Sequence, residues 1–121
     1  MSDHNETFRS FAGSFIDSAE SEENMMLFSA IAITAWNMSL GSEKEYDGKI
    51  TAFERRMNRT AYTQHGRTVP LRNKILELVN RKKREFRAES FLIVKADFVE
   101  DLDTGLSIVV TTKEPDSGDP R

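Results

Sequence analysis

The chain has 121 residues, a formal charge of −3 and no cysteine, and 31% of its residues are charged against 38% hydrophobic. That size supports one core rather than two. The lack of cysteine excludes disulfides, thiolate metal sites and thiol catalysis, and it fits a reducing, cytoplasmic location.

Polar sequence opens the chain. Residues 1–20 are expected to form a flexible or weakly helical arm, although Phe8, Phe11 and Phe15, at spacings of three and four, allow a short extra helix there. His4 falls in this arm. Residues 21–112 should form a single globular α+β domain, and "KEPDSGDPR" (113–121), with two prolines and a glycine, has the composition of a disordered tail.

"MMLFSAIAITAWNMSL" (25–40) carries no charge, and twelve of its sixteen positions are apolar. A membrane span needs about 20 predominantly apolar residues. This run is shorter, is bounded by Glu22, Glu23 and Glu43, and has no basic flank to mark an inside end. It therefore predicts a helix buried in protein on all sides, with Trp36 at the centre once its indole N–H finds an acceptor.

Ser42 and Glu45 have the spacing of a capping box. Tyr46, Ile50, Phe53 and Met57 then form one apolar stripe on a helix from about Ser42 to Thr60. "YTQHGRTV" (62–69) shows no periodicity and reads as a loop. Pro70 suits the first turn of a third helix running to about Phe86, whose buried face is Leu71, Ile75, Leu78 and Val79.

The period then changes. "SFLIVKADFV" (90–99) and "LSIVVTT" (106–112) are β-rich runs joined by an acidic, glycine-containing loop, the signature of an antiparallel hairpin. The expected fold is α+β: about three helices, then a C-terminal hairpin. Trp36, Ile33, Phe53, Leu78 and Ile93 should be buried together. Because a lone two-stranded sheet is marginal in water, its second face needs a cover. The candidates are the Phe8/Phe11/Phe15 segment and a second copy of the chain.

Catalytic raw material is thin. His4 and His65 are the only histidines, and no nucleophile motif surrounds either. "DLDTG" (101–105) contains part of a calcium loop, but its glycine comes one position early and its twelfth position is Thr112. No phosphate-binding glycine loop and no zinc signature is present, so no cofactor or metal is expected.

Charge, in contrast, is segregated. Residues 1–47 hold two basic and nine acidic residues, residues 48–95 thirteen and four, and residues 96–121 two and seven. The positive segment has two clusters. Arg55, Arg56 and Arg59 lie opposite the Tyr46/Ile50/Phe53/Met57 stripe, and Arg81, Lys82, Lys83, Arg84 and Arg87 close the following helix. They could contact phosphates, an acidic partner, or the acidic flanks of their own chain. The leading expectation is a non-enzymatic protein-interaction or regulatory module acting as a homodimer. The alternative is a nucleic-acid-binding protein using residues 55–87, and a hydrolase built on His65 comes third.

Overall fold

The computed structural model describes residues 4–101 and 105–114. The "DLDTG" turn and the tail from residue 115 lie outside the described residues or on their margin. Among the described residues are four α-helices and two antiparallel strand pairs: α1 (His4–Asp17), α2 (Glu22–Met38), α3 (Tyr46–Met57), β1 (Ala61–Gln64), β2 (Arg67–Pro70), α4 (Leu71–Glu85), β3 (Leu92–Asp101) and β4 (Gly105–Lys113). The architecture is α+β with a C-terminal hairpin.

Helix α2 is the centre. Ser21 caps it by accepting from the Asn24 backbone N–H at 3.1 Å, and Glu22 and Glu23 sit favourably at the positive end of its dipole. Leu27, Phe28, Ile31, Ala32, Ala35, Trp36 and Met38 are buried along it. Trp36 is fully buried, and its indole N–H donates to the Phe91 carbonyl at 2.8 Å. Phe11 meets the indole edge-on at 5.1 Å and Phe91 lies 4.8 Å away, ring pairs that add to the area term. Phe53, Leu78 and Ile93 join this core as expected. Ile33 packs against it but is only half-buried, beside Thr34 in a shallow groove facing α3. No helix among the described residues is long and apolar enough to cross a membrane.

The N-terminal segment departs from a weakly helical arm. Residues 4–17 form α1, and Phe8, Phe11, Ala12 and Ile16 are buried against the core. The aromatic stripe supplies enough apolar area to hold the segment down, since each buried phenylalanine is worth about 1.5–3 kcal/mol. Even His4 is engaged. Its ring stacks on Phe91 at 3.8 Å and shares a hydrogen bond with the Thr112 hydroxyl at 2.6 Å.

α3 is shorter than the stripe suggested. A 3-10 turn occupies Glu43–Glu45, and the Ser42 hydroxyl accepts from the Lys44 N–H at 3.2 Å. Glu45 pairs with Lys49 instead of reaching back to close a capping box. The helix ends where Asn58 takes a left-handed conformation (φ 58°), which releases Arg59 N–H to the Glu54 carbonyl at 3.1 Å.

Residues 62–69 are not a loop. Strands β1 and β2 pair from Ala61 with Pro70 to Gln64 with Arg67, leaving His65 and Gly66 as a two-residue turn. Both turn residues have positive φ, 53° and 73°, as a primed hairpin turn requires. Pro70 ends β2 and caps α4, and the Leu71 N–H donates to the Thr60 carbonyl at 2.9 Å, closing the base of the hairpin.

In the second hairpin, the register slips between Ile93 and Lys95, so Val94 is a bulge. The slip changes which parity faces inward. Ile93 points into the core before it, and Ala96 and Phe98 point inward after it, opposite Val110 and Ile108. Val94 and Val99 are left 58% and 49% exposed.

Candidate functional site

The two basic clusters do not form one surface. Arg59 reaches Glu23 in the first turn of α2, at 3.8 Å, whereas Lys82 lies 4.8 Å over the Trp36 ring in its last turn. α2 has 17 residues, so Arg59 and Lys82 sit against opposite ends of an element about 25 Å long, while Arg56 lines a groove with Asn37 and Met38 in its last turn. Within the first cluster, Arg56 stacks over Phe53 at 5.3 Å and Arg55 is exposed.

The second cluster is mostly committed. Lys82 is buried, its ammonium donates to the Glu89 carbonyl, and burial lowers its pKa, with Glu89 opposing. It is not available to a phosphate. Its place follows from the helical period, because it continues the face of Ile75, Leu78 and Val79. Arg81 pairs with Glu85 at 3.3 Å and donates to the Ser10 carbonyl at 3.1 Å. Arg84 reaches Glu85 at 3.4 Å. Lys83 reaches Glu43 at 3.8 Å and lies 5.1 Å over the Tyr46 ring. Arg87 is exposed.

His65 stands at the tip of the first hairpin with its side chain 67% exposed. The Glu20 carboxylate holds it twice, accepting its backbone N–H at 3.1 Å and meeting its Nδ1 at 3.1 Å. Nearby Ser18 donates its hydroxyl proton to the Phe15 carbonyl at 2.6 Å and accepts from Gln64 Nε2 at 3.1 Å, so that proton is not directed at the imidazole. Among the described residues, no three His, Asp or Glu side chains come together as a metal site would need.

A different feature emerges at the second hairpin, through the way its edges are closed. On β4, the Val110 N–H donates to Asn5 Oδ1 at 2.7 Å, and the Ile108 carbonyl accepts from Arg9 at 3.4 Å. Helix α1 thus supplies side chains where a neighbouring strand would stand. On β3, Asn37 of α2 does the same at one residue: its Oδ1 accepts the Ile93 N–H at 3.0 Å and its Nδ2 donates to the Ile93 carbonyl at 2.9 Å.

Past the bulge this protection stops. Ala96 and Phe98 oppose Val110 and Ile108, residues whose backbone groups point away from β3. In an antiparallel pair such residues direct their own N–H and C=O to the outer edge. Among the described residues, no hydrogen bond is made to the outward groups of Ala96 or Phe98. Among the described residues, the β3 edge at Ala96 and Phe98 is therefore an open strand edge flanked by the half-exposed Val99.

No known protein family matches this chain. No characterised protein and no solved structure matches it either. The functional reading thus rests on the residues themselves.

The open edge was not legible in advance. Sequence placed an apolar second face on the hairpin, but Asn37 lies 56 residues from Ile93 and Asn5 lies 105 from Val110. Nothing local marks either as an edge cap.

Proposed function

We propose that this protein is a small non-enzymatic interaction module whose working unit is a homodimer, with two copies paired antiparallel along β3. The observation that carries the reading is the contrast along one strand: Ile93 is capped by Asn37, and Ala96 and Phe98 are open. Pairing would turn two marginal two-stranded sheets into one four-stranded sheet. A cytoplasmic site of action belongs to the same proposal.

Chemistry restricts the register. Residues with outward backbone groups must face one another, so the twofold axis falls at Ala96, Asp97 or Phe98. An axis at Asp97 sets two carboxylates directly opposite, which is unfavourable. An axis at Ala96 brings position 99 of the second copy against Ile93, whose groups Asn37 already holds. The axis at Phe98 avoids both and places Asp97 opposite Val99 of the second copy.

A polyanion partner has less support, because Lys82 is buried and Arg59, Arg81, Lys83 and Arg84 are paired with carboxylates of the same chain. Light scattering at micromolar concentration tests the dimer. The expected mass is twice the 13.8 kDa of one chain. Val99→Asp should weaken association roughly tenfold, since it sets two like-charge pairs with Asp97 of the second copy, each unfavourable by about 0.2–1 kcal/mol. A monomer at all concentrations, or a dimer indifferent to Val99→Asp, would remove this arrangement.

A further inference from the structure

A cleft of about 830 Å³ opens between the C-terminal half of α1, the β1–β2 hairpin and the first turns of α4. It is unrelated to the β3 edge. Its volume falls within the range of about 300–1,000 Å³ common to small-molecule sites. Phe15 and Tyr62 provide an aromatic wall, and both are fixed from behind by Phe28, which stacks on Phe15 at 4.3 Å and meets Tyr62 at 4.9 Å. Burial, assisted by Glu77, pushes the Tyr62 hydroxyl up to about 12, so the wall stays uncharged.

The rim is cationic. Arg67, Lys74 and Arg81 line the cleft against a single carboxylate, Glu77. Lys74 pairs with Glu77 at 3.1 Å and sits 5.1 Å over the Phe15 ring. Arg81 is tied to Glu85 and the Ser10 carbonyl. Arg67 has no ion-pair partner among the described residues and is the cation free to take a new one.

One polar group inside the cleft is incomplete. Gln64 Nε2 donates to the Ser18 hydroxyl, and Ser18 spends its own proton on the Phe15 carbonyl. Ser18 can therefore only accept from Gln64, which fixes the amide's orientation. Among the described residues, Gln64 Oε1 is then a buried acceptor with no donor. Such a group is costly to leave unmade. It calls for an N–H or O–H from something that enters the cleft.

We propose that this cleft binds a small organic anion with a flat apolar body, an aryl carboxylate carrying a hydroxyl or amine donor. The ring would lie along the edges of Phe15 and Tyr62, the carboxylate would meet Arg67 with Lys74 nearby, and the donor would satisfy Gln64 Oε1.

The test is a titration of the full chain with three probes, followed by amide resonances in two-dimensional NMR. 4-Hydroxyphenylacetate carries the anion, the ring and the donor. Phenylacetate lacks the donor, and 4-hydroxyphenylethanol lacks the anion. The expected result is saturable shifts confined to residues 14–18, 62–69 and 73–81, with the first probe binding at least about fivefold tighter than either control. Arg67→Gln should weaken both carboxylates by about fivefold or more and leave the alcohol unchanged. Gln64→Leu should erase the advantage of the hydroxylated acid over phenylacetate, in a protein whose remaining spectrum shows it folded. Three outcomes would overturn the proposal: no cleft amide moving with any probe at about 10 mM, shifts indifferent to Arg67→Gln, or equal weakening of all three probes by Gln64→Leu.

Discussion

The two hairpins follow different rules. The short one, β1–β2, has four residues per strand and is fastened at each point where it could fray. Thr60 accepts from Leu71 at its base, Asn24 donates to the Thr63 carbonyl at 3.4 Å along one side, and Glu20 grips His65 at the tip. The long one, β3–β4, has ten and nine residues; among the described residues the outward Val110 N–H and Ile108 carbonyl are answered on β4, and on β3 only the groups of Ile93. Length alone would make the longer hairpin the more self-sufficient. Closure depends on which helix side chains reach the outer edges: among the described residues, Asn5 and Arg9 of α1 meet β4, and Asn37 of α2 meets β3 at Ile93.

The base of the long hairpin hangs on Trp36, and its removal should have the largest effect. Trp36→Ala deletes a fully buried indole together with its bond to the Phe91 carbonyl, and should cost about 3–5 kcal/mol in denaturant unfolding. That loss would unfold a marginal domain. A variant that melts with the parent would mean that the aromatic cluster does not hold the hairpin.

Asn37 comes next. Asn37→Ala strips both partners from Ile93 and should destabilise by about 2 kcal/mol, two bonds at roughly 1 kcal/mol each. It also extends the open edge by one residue, so the same variant should associate more readily than the parent. An Asn37→Ala protein that loses stability without any change in association would separate the edge from the interface.

A smaller effect is expected in the short hairpin. Gly66 has φ 73° with open space where a Cβ would sit, so Gly66→Ala meets backbone strain but no clash. About 1–2 kcal/mol is expected by thermal melting, with the β3 edge untouched. A larger loss would mean that the tip carries more of the fold than its exposure suggests.

Much of this fold is legible in the sequence, and the exceptions have physical causes. The uncharged run at 25–40 forces a central helix, and two β-rich runs around a short acidic loop force a hairpin. The first hairpin escaped because strands of four residues give too little alternation to register. Its signal lies instead in the turn chemistry of His65-Gly66. Composition groups Lys82 with its charged neighbours, although the helical period places it under the core face. The bulge at Val94 cannot be read from composition, since a one-residue slip leaves the residues unchanged and reverses their faces. Edge caps from Asn37, Asn5 and Arg9 depend on tertiary approach, so the site they define appears only in three dimensions.

The most direct measurement is amide hydrogen exchange across a concentration series, read at four residues. Ile93 and Val110, whose N–H groups are held within the chain by Asn37 and Asn5, should exchange slowly at every concentration. Ala96 and Phe98 should exchange fast in dilute protein and become protected as concentration rises, following the same midpoint as the doubling of mass. If Ala96 and Phe98 stay fast at every concentration, the β3 edge is not where two copies meet, and the central claim is wrong.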